Sequence, residues 1–163
     1  VAGAVNDLYG VSARLKWPND VVVNDRKLCG ILIEGRAEAD KVHYVLVGIG
    51  INVNNELLED LRTTAVTLKD LVGYPVPRIP LLKAVLRNFD YSYNLLLEGK
   101  HTEVIETWKK LSSTLGRYVK VIGPDKVIEG CATDVTSDGA LVIETAEGGR
   151  KIVYSGDVIH LRF

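Results

Sequence analysis

The sequence predicts an α+β protein: a mixed β-sheet with packed helices over residues 1–115, then a small β-barrel over residues 116–163. Three observations predict it. Short β-branched runs bounded by turn residues fill residues 12–51. Apolar residues then recur at three- and four-residue steps, the period of a helix. Beyond Gly116 only short strands and glycine-bearing turns remain, spaced as in a small barrel.

The elements follow in order. Ala2, Val5, Leu8 and Tyr9 carry helical spacing, and Gly10 sits where a helix-ending glycine belongs. Ser12 to Trp17 is predicted as a strand that Trp17 finishes, because the residue before a proline is pushed to extended geometry. Pro18-Asn19-Asp20 supplies a turn, Val21 to Val23 a second strand, Asn24-Asp25-Arg26 a hairpin loop and Leu28 to Arg36 its return. Lys41 to Ile51 is apolar at nearly every position, which predicts a central strand covered on both faces. Thr67 is placed to cap a short turn that ends at Gly73. After Pro75, Pro77 and Pro80, the stripe Leu82, Val85, Leu86, Phe89, Tyr93, Leu96 and Leu97 predicts a long helix with a core face, ending at Gly99. Thr102 opens a second stripe, Val104, Ile105, Trp108 and Leu111. Five strands complete the chain: Tyr118–Ile122, Val127–Val135, Ala140–Thr145, Lys151–Tyr154 and Val158–Phe163. They are separated at Gly123-Pro124-Asp125, Ser137-Asp138-Gly139 and Glu147-Gly148-Gly149.

Composition narrows the function classes. A 47% hydrophobic fraction with 25% charge and mean hydropathy +0.10 describes a folded globular chain, not a disordered one. No apolar run approaches the roughly 20 residues of a membrane span, and no leader opens the chain, so the expectation is a cytoplasmic protein with no membrane partner. A net charge of −1 gives no field for nucleic acid, and residues 116–163 hold six Lys/Arg against seven Asp/Glu. Cys29 and Cys131 are expected as free thiols in a reducing compartment, and the three histidines have no metal-ligand spacing. The chain starts at Val1, lacks methionine and opens in mid-pattern, which predicts a piece of a longer protein. An apolar strand edge near Val42 to Val47 leaves a sheet-mediated homodimer open.

The chemistry concentrates in three stretches: Lys16-Trp17-Pro18-Asn19-Asp20, Lys27-Leu28-Cys29-Gly30-Ile31-Leu32-Ile33-Glu34 and Gly48-Ile49-Gly50-Ile51-Asn52-Val53-Asn54. Lys27 precedes a strand whose Gly30 lets a ligand approach the backbone. Lys16 and Trp17 offer a cation and a stacking plane. Asp20 can hold Mg²⁺ or orient Lys16, and equally can be a turn residue. Asn52 and Asn54 fall on alternate positions, so both amides can face one side. Cations, amides and bare backbone at strand ends together point to a cleft for a phosphate or carboxylate.

These stretches resemble the KWPND, K-x-x-G-I-L-x-E and G-x-G-x-N-x-N motifs of the biotin protein ligases, in order and in spacing. The resemblance implies a class II aminoacyl-tRNA synthetase/biotin ligase-like catalytic domain over residues 1–115, incomplete at its N-terminus. It also implies an SH3-like C-terminal domain over residues 116–163. It implies ATP-dependent activation of biotin to biotinyl-5′-AMP and transfer to a lysine of a biotin carboxyl carrier domain of the acetyl-CoA carboxylase type. On the matching positions, Lys27, Asp20 and Lys16 would be catalytic. Lys27, Gly30, Ile31, Gly48 and Gly50 would bind biotin and biotinyl-AMP, and Asn52, Trp17 and Asn19 would bind ATP. Asp20 and Asn52 would meet Mg²⁺ through ATP. The family's Gly-Arg-rich loop has no counterpart in these residues, which implies that the 163 residues alone are impaired. The alternative is a non-catalytic module of the same fold that binds biotin, nucleotide or carrier without turnover.

Overall fold

The computed structural model describes residues 1–38, 41–123 and 126–161. Helix α1 (Ala2–Tyr9) ends on Gly10 at φ 66°, the left-handed cap its sequence predicts. It is followed by β1 (Arg14–Lys16), β2 (Asp20–Val23), β3 (Arg26–Glu38) and β4 (Lys41–Ile51), paired in the order β1-β2-β3-β4. The β2–β3 connection is a two-residue turn with Asn24 and Asp25 at φ 51° and 61°, the type I′ geometry that matches strand twist. Every ladder in this sheet is antiparallel, so the expected mixed sheet is corrected; among the described residues, parallel pairing is confined to the single bridges Leu15–Ser112 and Lys27–Ala65.

Three helices follow: α2 (Leu68–Val72), α3 (Arg78–Leu97) and α4 (His101–Leu111). Thr67 caps α2 by accepting from the Asp70 N–H at 3.0 Å, and Gly73 closes it. Thr102, in contrast, lies inside the first turn of α4; the N-cap is Lys100, which makes no side-chain cap bond. The second sheet comprises β5 (Tyr118–Ile122), β6 (Val127–Val135), β7 (Leu141–Glu144), β8 (Arg150–Val153) and β9 (Asp157–His160). Its order is β8-β7-β6-β5-β9, again antiparallel, with no β8–β9 pairing among the described residues to close a barrel. Of the expected turn Gly123-Pro124-Asp125 and strand Val158–Phe163, residues Pro124, Asp125, Arg162 and Phe163 lie outside the described set.

Two apolar clusters hold the chain. The first joins Val5, Val21, Leu28, Cys29, Val66 and Leu68 with Leu81 and Val85 of α3. The second gathers Val119, Val121, Leu141 and Ile143 from the second sheet, and takes Trp17 from the first stretch of the chain. Ile105 and Trp108 of α4 pack against it.

Two expectations fail on burial. β4 is an edge strand, not a central one, and Val42, Tyr44, Val45 and Leu46 are each more than half exposed. Apolar residues on both parities predict cover on both faces, yet of β4 the first cluster reaches only Ile51 among the described residues. The α3 stripe is likewise open: Leu81 and Val85 are buried while Leu82, Leu86, Phe89, Tyr93, Leu96 and Leu97 are exposed. α3 makes its main helix contacts with α1 and α4, and these leave most of its apolar stripe exposed.

Candidate functional site: a lysine–aspartate pair over a glycine floor

A strand irregularity creates the site. Val21 pairs with Cys29, but the next pair is Val22 with Lys27, so one residue of β3 is extra. Leu28 and Cys29 are consecutive yet both buried, the signature of a bulge. Without it, Lys27 would share the core-facing parity of Cys29. With it, Lys27 turns to the open face occupied by Gly30.

On that face Lys27 Nζ lies 2.6 Å from Asp20 Oδ1, and Asp20 stands directly across from Gly30. Gly30 is what makes room: a Cβ there would sit 3.0 Å from Lys27 Cε and 3.1 Å from Nζ. Gly30 pairs with Gly50 and Leu32 with Gly48, so the neighbouring sheet surface is bare backbone and solvent-exposed. The ion pair is itself half exposed, at 48% for the lysine and 22% for the aspartate, and contributes about 0.5 kcal/mol. An ammonium so lightly held can transfer its attraction to an arriving anion.

The other predicted residues divide. Asn52 approaches from the end of β4, donating to the Lys27 carbonyl at 3.4 Å and accepting from Asn55. Asn54 does not join it; its amide makes paired bonds to the backbone of Val76 at 2.8 and 2.9 Å and fixes that loop. Asn19 locks the turn to β3, exchanging bonds of 2.9 Å with both backbone groups of Ile31. The Ile31 side chain packs against the first cluster, on the face away from Lys27. Lys16 stands opposite Asp20 in register, but Asp20 pairs with Lys27. Trp17 is 4% exposed inside the second cluster, its indole N–H donating to the Gly139 carbonyl at 3.0 Å, so its ring presents no open stacking plane.

Burial, aided by the Asp20 charge, pushes the Cys29 thiol up to about 11, against the opposing pull of the N-terminus and Lys27. It is therefore a protonated packing residue; neither cysteine is in a disulfide. No group of three or more His, Cys, Asp or Glu converges among the described residues. Asp20 Oδ1 is nonetheless buried, and the Lys27 ammonium at 2.6 Å is the one polar partner it has among the described residues. One such oxygen suits a Mg²⁺ that arrives with phosphate oxygens of its own and does not suit an all-protein cage.

Sequence reasoning missed what stands behind the turn. Thr114 Oγ1 accepts from the Trp17 backbone N–H at 3.1 Å and lies 3.2 Å from His160 Nε2. Arg117 Nη1 donates to Asp25 at 2.9 and 3.1 Å and to His160 Nδ1 at 3.2 Å. A cavity of about 490 Å³ opens at this same end of the hairpin, lined by Arg14, Asn24, Asp25, Ser112, Ser113 and Arg117, and not over the glycine floor. Partners separated by 43 to 97 positions leave no local signal.

Residues 4–52 match the Biotin/lipoate A/B protein ligase family, and residues 114–161 match the Biotin protein ligase C terminal domain. The chain is 31% identical to the bifunctional ligase/repressor BirA of Bacillus subtilis over 97% of its own length and 49% of that protein. It is 32% identical to the biotin–[acetyl-CoA-carboxylase] ligase of Mycobacterium tuberculosis over 91% of its length and 53% of that protein. It thus spans about half the length of these curated relatives. Among solved structures, it superposes on biotin protein ligase from Aquifex aeolicus in complex with biotin and ATP with a TM-score of 0.84 and 31% identity, covering 99% of this chain and 67% of that one. For the apo form of that ligase the TM-score is 0.85 at 30% identity, covering 98% and 70%.

Proposed function

The chain belongs to the biotin protein ligase family, and from that premise we propose that it carries one wall of the site at which biotin is activated and passed to a carrier protein. The observation that carries this reading is the Lys27 ammonium, folded over Gly30 beside Asp20 on the bare face of β3 and β4. An Aquifex relative binds both biotin and ATP, which supports placing both molecules here.

The biotin carboxylate attacks the α-phosphorus of ATP; an acyl–phosphate bond forms, the bond to the β-phosphate oxygen breaks, and pyrophosphate leaves. The neutral ε-amine of a carrier lysine then attacks the acyl carbon, giving an amide, AMP and a released proton. Charge grows on the phosphoryl oxygens in the first step, so the Lys27 cation contributes most there. The exposed backbone of Gly48 and Gly50 lets the ligand lie close to the sheet, while Asn19 keeps the turn beneath it fixed. Asn52 would meet the nucleotide from the end of β4. Mg²⁺ bound through ATP would be held by Asp20 and Asn52 and would neutralise phosphate charge. Trp17 acts in this reading by anchoring the turn, and Lys16 contributes long-range positive charge. We further propose a two-domain division at residue 115, with the second sheet forming the SH3-like part that supports ATP and carrier, and a cytoplasmic setting.

The test incubates the full-length protein with biotin, ATP, Mg²⁺ and an apo carrier domain, and reads carrier mass. The expected result is one biotinyl addition with the native protein. For Lys27→Ala, biotin-dependent pyrophosphate release should fall by about 10³-fold. An unmodified carrier with the native protein, or release near the native rate from Lys27→Ala, would overturn the assignment.

A further inference from the structure

The chain segments that flank the candidate pair are joined by one continuous run of hydrogen bonds that no motif contains. It begins at Asp25, two positions before Lys27, and ends at Trp17, three positions before Asp20. Between them stand Arg117, His160 and Thr114, all contributed by the C-terminal third of the chain. The chemistry fixes the direction of each bond. A guanidinium only donates, so His160 Nδ1, 3.2 Å from Arg117 Nη1, must accept. The imidazole proton then sits on Nε2 and is donated to Thr114 Oγ1, which also accepts from the Trp17 N–H.

We propose that His160, together with Arg117, is a positioning residue for biotinyl-AMP formation: by tying Asp25 to Trp17 it sets the spacing between Asp20 and Lys27. This inference rests on the ligase reading of the site. It gives the second sheet a defined role in the first half of the reaction, exerted through the hairpin and not through contact with substrate. The groups facing the imidazole are consistent with a fixed neutral ring. Its side chain is 10% exposed, and burial, then the charges of Arg117 and Lys16, hold its pKa below the usual histidine range against the opposing pull of Asp25. Protonation would place an N–H against the Arg117 guanidinium, with Asp25 Oδ1 at 3.7 Å as its acceptor, and so replace the Arg117–His160 link at the centre of the run.

The experiment uses His160→Ala and His160→Gln in the full-length protein, with biotin-dependent ATP–pyrophosphate exchange and the NMR position of the Trp17 backbone amide as readouts. Loss of one hydrogen-bonding link predicts a fall of about tenfold in the kcat of exchange in His160→Ala, with the KM for ATP changed by less than about threefold. Glutamine can both donate and accept at that site, so His160→Gln should restore kcat to within about threefold of native. In the native protein the Trp17 amide should shift as His160 titrates on acidification, and in His160→Gln it should not. Unchanged kcat in His160→Ala, or a His160→Gln variant as impaired as the alanine variant, would overturn the proposal. If His160→Ala does not fold, the glutamine variant and the pH titration decide. If the native protein exchanges no pyrophosphate, the ligase reading fails by itself, and a Trp17 amide that ignores His160 titration overturns the coupling as well.

Discussion

The turn from Trp17 to Asp20 has two sides, and they differ in kind. On one side Trp17 enters the core of the second sheet, where Val119, Val121, Leu141 and Ile143 are almost wholly buried. On the other side Asp20 meets Lys27 above glycines, on a face where Leu32 and Leu46 are exposed. Packing fixes the first side and leaves nothing to rearrange. The second is held by a half-exposed ion pair and can exchange its partner for a ligand. A five-residue stretch thus has Trp17 as an anchor and, in the proposed reading, Asp20 as chemistry, which is why a change on either side should be felt differently.

The sharpest way to break this contrast is Trp17→Ala. It removes the large side chain that the first stretch of the chain sends into the second cluster and orphans the Gly139 carbonyl. The expected loss is about 3–5 kcal/mol of unfolding free energy, measured by denaturant titration. If Trp17 were instead a stacking surface for nucleotide, stability would change little and only ATP binding would suffer. Gly30→Ala should act on the opposite side alone. The added Cβ meets the flexible end of Lys27 and not backbone, so stability should move by less than about 0.5 kcal/mol. The displaced ammonium should lower biotin-dependent pyrophosphate exchange by about tenfold. A variant that exchanges at the native rate would show that the placement of Lys27 over Gly30 is immaterial.

How much of this contrast was legible in the sequence differs residue by residue. Lys27, Gly30, Asp20 and the glycines at 48 and 50 stood out because their types and order already imply a ligand beside bare strands. The bulge at Leu28 did not, since two adjacent apolar residues fit any buried strand. Trp17 misled because an aromatic next to a lysine suggests a stacking plane, whereas burial in a core contributed by residues a hundred positions later is invisible locally. The apolar run of β4 gave the opposite error. Its pattern records the cover such a strand needs, and among the described residues that cover is missing. His160 carried no signal, because a lone histidine near a strand end acquires its role only from Thr114, Arg117 and Asp25.

The smallest expected effect concerns the fastening between the two sides. Lys109 of α4 lies 2.8 Å from Asp134 of β6 and 3.1 Å from Glu106. The hydrogen bond to Asp134 comes first in holding the lysine pKa above its ordinary value of 10.5, and the same bond comes first in holding the Asp134 carboxyl below 3.8. A carboxyl lowered by folding stabilises the fold above 3.8 and loses that contribution as pH falls through its folded value. A lysine raised by folding contributes below 10.5 and loses it as pH rises through its folded value. The pair should therefore act across the whole interval between, discounted by solvent to about 0.5 kcal/mol. Lys109→Met keeps the apolar stem and removes the charge. Thermal melts of this variant should lie below native by a constant margin near neutral pH, and the two should converge in strong acid. Pyrophosphate exchange should stay at the native level, because Lys109 touches neither Trp17 nor the Lys27–Asp20 pair. A loss of exchange in Lys109→Met would mean that the anchor of α4 on the second sheet reaches the open face, and the two sides of the turn would then not be separable.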